Sequence, residues 1–188
     1  MDAYHIALFV HIITLIVAAS VTAVTKLAET RRSRARTVNE ALDWHNVLLS
    51  SANLFPVCLA LFVITGGYMM SITHLIIWST GFIVAGLVGV LLLLMSGVFL
   101  ATKGRALKQR LEGMAKAGGD QPMPALVPPA LVAMLPTVNT GIALSVVFDM
   151  VMKPASVSAA LGIIAIGIVL GAMIGAKKPE GVREQVRA

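Results

Sequence analysis

Four windows of the chain carry no Asp, Glu, Lys or Arg: Ala3 to Thr25, Trp44 to Thr102, Gln121 to Phe148 and Pro154 to Ala176. The second, about 59 residues long, would extend roughly 88 Å as one helix against a hydrocarbon core of about 30 Å. It must fold back on itself. Gly66, Gly67, Ser71 and His74 interrupt the apolar run and place the return around Met70 to Thr73. The pattern predicts an all-α fold, an integral membrane bundle of five transmembrane helices forming a single domain. The spans fall at about 4–25, 45–70, 75–101, 129–151 and 155–176.

With 57% hydrophobic and 13% charged residues, the chain lies far from the balance of a soluble domain. Its pI near 9.9 would suggest nucleic acid in a soluble protein, but the cations alternate between loops. Five (Lys26, Arg31, Arg32, Arg34, Arg36) lie between spans one and two, and five (Lys103, Arg105, Lys108, Arg110, Lys116) between spans three and four. Four more follow span five, and only Lys153 lies on the other side. The positive-inside rule then sets the N-terminus outside and the C-terminus inside. The basic inner loops are expected to meet anionic lipid headgroups rather than nucleic acid.

The first apolar segment has no basic region before it, so it reads as a retained N-out anchor rather than a cleavable signal. Tyr4, Tyr68 and Trp78 fall at the outer interface and Trp44 at the inner one, where amphipathic rings are best solvated. The second inner loop begins as a charged helical extension and breaks at Gly118-Gly119 and the prolines from Pro122 to Pro129. It reads as a connector without a core of its own. Cys58, the single cysteine, reads as packing.

Pro56 and Pro136 lie within the bilayer, each three residues from an asparagine, Asn53 and Asn139. The asparagines fall at similar depth and are expected to pair across kinked helices, with Ser50, Ser51, Thr137 and Thr140 satisfying freed carbonyls. Gly167, Gly171 and Gly175 repeat at period four, which lets another helix approach, either within the chain or in a homo- or hetero-oligomer. Ala85, Gly86, Gly89 and Ser96 make a comparable face on span three. Asp149 and Lys153, four residues apart, are expected to form an ion-pair clasp.

His11 is the ionisable residue that stands well inside the membrane, roughly 10 Å below the outer surface, and such residues are functional candidates. Gly66 and Gly67 lie at similar depth, as do Gly81, Gly141 and Gly162. Small residues opposite a histidine either let helices close tightly or leave room for a flat cofactor. The outer rim adds His5, Met69, Met70 and His74, with Met1, Met150 and Met152 nearby. Thioether and imidazole ligands together suit Cu(I), and neutral imidazole with His or Met suits haem iron. The expected cofactor site is therefore His11, Gly66 and Gly67, with His5, His11, Met69, Met70 and His74 as candidate metal ligands. His45 at the inner surface is expected to meet headgroups or cap its helix.

Three stretches, FVHIITLIVAAS around His11, LFPVCLALFVITGGYMM ending at Met70 and FDMVMKP ending at Pro154, resemble a family of bacterial integral membrane proteins grouped as a domain of unknown function. The first helix also resembles the opening helix of copper-resistance membrane proteins of the D type and of membrane-bound, haem-associated protoporphyrinogen oxidases. That resemblance is carried by His11 and implies haem b or copper in an outer-leaflet pocket. The expectation is a small multi-pass protein of a bacterial cytoplasmic (inner) membrane that binds haem or copper around His11, with nothing pointing to catalysis. The competing expectation is a structural or assembly subunit of a larger membrane complex. Transport is disfavoured on the reading that the spans hold no acidic residue or arginine.

Overall fold

The computed structural model describes residues 3–73, 80–118, 121–124 and 128–176. Met1, His74 and Trp78 lie outside the described residues. The described residues form six helices: α1 (Ala3–Ser33), α2 (Val38–Ala52), α3 (Leu54–Thr73), α4 (Gly81–Gly118), α5 (Ala130–Met152) and α6 (Val157–Ala176). With α2 and α3 taken as one span, five segments among the described residues are long and apolar enough to cross a membrane. The protein is all-α and multi-pass.

The interruption between α2 and α3 has a local cause. Pro56 has no N–H to give the Ala52 carbonyl, so the helix yields at Asn53, whose N–H bonds the Leu49 carbonyl at 3.1 Å. Pro136 is accommodated inside α5 without a break.

Burial runs opposite to that of a soluble protein. Phe9 is 65% exposed and Val151 73%, while small or polar residues line the contacts. Lipid tails satisfy large apolar groups as well as a protein core does, so helices gain by pressing small residues together. Along α1 the buried positions Ala7, Thr14, Val21 and Ala28 recur every seven residues. Half-buried His11, Ala18, Thr25 and Arg32 fall between them, making one seam with alternating steps of four and three.

The chain divides into two compact units. The first comprises residues 1–74 and 101–124, so it includes α1, α2, α3 and the charged second half of α4. Thr37 caps α2, its hydroxyl accepting from Glu40 N–H at 3.3 Å, and the Glu40 carboxylate reaches back to Arg36 N–H at 2.9 Å. This T-x-x-E arrangement satisfies helix-start donors reciprocally. The second inner loop is more than the expected connector. Met123 N–H bonds the Arg36 carbonyl at 2.9 Å, and Thr37 and Pro122 form an isolated bridge. Beneath them Ala35, Val38, Ala41 and Leu111 make a buried cluster, with Leu107, Met114, Ala115 and Met123 packed around it. The inner side thus has its own small core.

The second unit comprises residues 75–100 and 125–188 and holds the first half of α4, α5 and α6. Its centre is Ala85, Ala160 and Ile164. α5 ends at Lys153 in a left-handed conformation, φ 48°, and Ser156 Oγ accepts from Ala159 N–H to start α6. Gly81 abuts that turn: a Cβ there would lie 2.5 Å from the Ser156 carbonyl oxygen.

Three of the α6 glycines, Gly167, Gly171 and Gly175, pack within the chain. A Cβ at Gly171 would stand 2.6 Å from the Thr137 carbonyl oxygen, and one at Gly175 would stand 2.9 Å from Met134 Cα. Gly167 meets Gly141 backbone to backbone. The small-residue face is therefore occupied by α5.

Candidate functional site

The α1 seam brings His11 against α3. His11 Nδ1 lies 2.7 Å from Thr65 Oγ1, and the imidazole meets Phe62 edge-on with centroids 5.0 Å apart. Thr65 Oγ1 also lies 2.6 Å from the Leu61 carbonyl, one turn back on its own helix. Two acceptor oxygens this close require the hydroxyl proton between them, so Thr65 donates to Leu61 and has only lone pairs left for His11. Nδ1 must then carry the ring proton and donate it to Thr65. Nδ1–H is thereby directed at Thr65, and Nε2 lies outside this network.

Orientation of one ring nitrogen by an oxygen acceptor is the arrangement that prepares a histidine for a metal at the other. Gly66 flanks the ring: its Cβ position lies 3.9 Å from His11 Cε1, and a Cβ at Gly67 would meet nothing within 4 Å. Gly66 is therefore the glycine that lies against the imidazole, whereas Gly67 is exposed and faces open space. Met69 stands one turn beyond Thr65, on the face that also holds buried Cys58. Met70 follows Gly66 at the same interval, and both methionines are half-buried.

His5 lies six residues before His11, about 120° around the helix, and its ring meets Tyr4 edge-on. His74 lies outside the described residues. Among the described residues no three His, Cys, Asp or Glu side chains gather as a metal cluster. Of the expected cofactor-binding residues, then, the structure brings His11 to Gly66, while Gly67 faces away into open space.

Three groups have roles that the sequence reading did not assign. His45 is buried, 1% exposed, rather than at the headgroups. Arg32 lies 3.2 Å from its Nδ1, and its Nε2 is 2.9 Å from the Gly104 carbonyl. Arginine only donates, so Nδ1 accepts and Nε2–H donates. A neutral imidazole thereby ties α1, α2 and α4 at the inner end. His45→Ala would strand a guanidinium and a carbonyl, and is expected to lower stability by about 1–3 kcal/mol. Equilibrium unfolding in mixed micelles would measure this, with His45→Gln losing less.

Asn139 Oδ1 accepts from Ser96 Oγ at 2.8 Å, while Asn53 is exposed between α2 and α3. Asp149 forms no clasp with Lys153. Among the described residues neither of its carboxylate oxygens has a hydrogen-bond partner, and the side chain is 0% exposed. The spacing argument assumed continuing helix, but Lys153 has left the helical conformation. Asp149 also lies within α5, so the premise that the spans hold no acidic residue was wrong.

Comparison with protein families, with curated proteins and with solved structures found no match to the chain.

Proposed function

We propose that this multi-pass protein binds haem iron or copper through His11 Nε2, in the outer half of a bacterial inner membrane, without itself catalysing a reaction. The relay from His11 Nδ1–H to Thr65 Oγ1 and on to the Leu61 carbonyl carries this reading. It fixes the direction of Nε2, which in the neutral imidazole is the nitrogen that binds both metals. Gly66 puts no side chain against the ring, which favours room for a flat macrocycle or a compact ion. Met69 is the nearest thioether in register on α3, and suits either Cu(I) or an axial position on haem. The resemblance of the first helix to copper-resistance proteins and haem-associated oxidases points the same way. The outward placement of this end follows from the positive-inside rule.

Protein from haem-replete and copper-replete cells tests the reading by absorption spectrum and elemental analysis. A Soret band or stoichiometric copper is expected, and His11→Ala should abolish it. Thr65→Val should leave the metal bound about 10–100-fold more weakly, because only the orienting acceptor is lost. A colourless, copper-free protein from both preparations would overturn the proposal.

A further inference from the structure

Asp149 is a buried carboxylate for which the His11 site has no use. Its neighbours on α5 fix where it points. Ser145 Oγ donates to the Ile163 carbonyl of α6 at 3.1 Å, Val146 presses on Gly89 of α4, and Met150 reaches Gly86 of α4. Asp149 follows Ser145 by one turn and falls between these two contact lines, on the buried face with Ile142 and Ser145. It therefore faces the seam between α4 and α6, at the level of the fully buried Ala85 and Ala160.

Among the described residues that seam offers no cation to an anion. Among the described residues of this unit, Lys153 is the one other charged side chain, and there is no His, Cys or Tyr. Neither α4 from Gly81 to Leu100 nor α6 carries a charged or titratable group. Lys153 is exposed, and the link it makes to Asp149 is from backbone N–H to backbone carbonyl at 2.8 Å. Ser145 has already committed its hydroxyl. An ionised carboxylate stripped of water, cation and donors costs several kcal/mol even after relaxation, and such a group neutralises instead.

We propose that Asp149 is a proton-binding site in the outer half of the membrane. One carboxylate oxygen takes a proton from hydronium in the bathing water: an O–H bond forms on Asp149 as one breaks in hydronium, which leaves as water, and no other bond changes. The folded unit holds the resulting carboxylic acid among small residues of α4 and α6. The site is independent of His11 and of any cofactor bound there.

Infrared spectroscopy of the full-length protein in lipid, in H2O and in D2O, tests this. At neutral pH a carbonyl stretch of a protonated carboxylic acid is expected, shifted by D2O and absent from Asp149→Asn. The asparagine variant should keep the wild-type melting temperature, since it replaces a neutral acid with a neutral amide of the same shape. Should that variant fail to fold, wild-type protein labelled with 13C-carboxyl aspartate gives the same answer, because the band must move with the label. If the aspartate signal at neutral pH is carboxylate alone, the proposal is overturned. A steep fall in melting temperature for a folded Asp149→Asn protein would overturn it too, by revealing a charge the fold depends on.

Discussion

Gly171→Leu is expected to open the α5–α6 pair and lower stability by about 3 kcal/mol or more, the upper end of the overpacking range. The obstacle is backbone. A Cβ at residue 171 would lie 2.6 Å from the Thr137 carbonyl oxygen and 2.7 Å from Val138 Cα, so no rotamer change relieves it. The helices must separate, and separation forfeits contact at Gly167 and Gly175 as well. Gly97 supplies the contrast, because a Cβ there meets nothing within 4 Å. Gly97→Ala is expected to stabilise by about 0.5–1 kcal/mol through helix propensity alone. Opposite signs for the two variants in mixed-micelle unfolding would confirm that proximity, rather than glycine content, holds this pair. Equal small effects would refute it.

Leu111→Ala is expected to cost about 2–5 kcal/mol, the usual range for emptying a closed apolar site. Leu111 is 0% exposed and shares its cluster with Ala35, Val38 and Ala41, none of which is large enough to fill the void. Here water lies outside, so the ordinary hydrophobic effect applies as it does not between lipid-facing helices. The loss should be local. Exchange of the Val38 and Met123 amides, which bond the Gln121 and Arg36 carbonyls across the inner loops, should accelerate by orders of magnitude. Exchange around Thr65 should not change.

The five crossings were legible because charge is excluded from lipid at a cost that no packing detail reverses. The end of α4 at Gly118 was legible for a similar reason, since glycine and proline override local context. What the residues did not disclose was partner choice. Period-four glycines on α6 announce a close neighbour without naming α5. Leu107, Leu111 and Met114 sit at helical spacing inside a strongly charged stretch, and their stripe was masked by the lysines and arginines between them.

Side-chain roles were harder still. His11 stood out by type alone, but Thr65 did not, because intramembrane threonines commonly bond their own helix; this one does so and accepts from His11 as well. His45 was misread because Asp43 and Trp44 beside it suggested the headgroup layer. The reading of Asp149 failed on one dihedral angle: the left-handed Lys153 removes the cation that four-residue spacing had promised.

The glycine contact between α5 and α6 also bears on how the protein responds to cold. When these helices part inside a bilayer, acyl chains rather than water take up the vacated surface, so the large heat-capacity change of soluble unfolding has no source there. Their association should therefore vary almost linearly with temperature, and chilling should not loosen it. The water-facing cluster around Leu111 has the opposite dependence, and cooling should weaken it first.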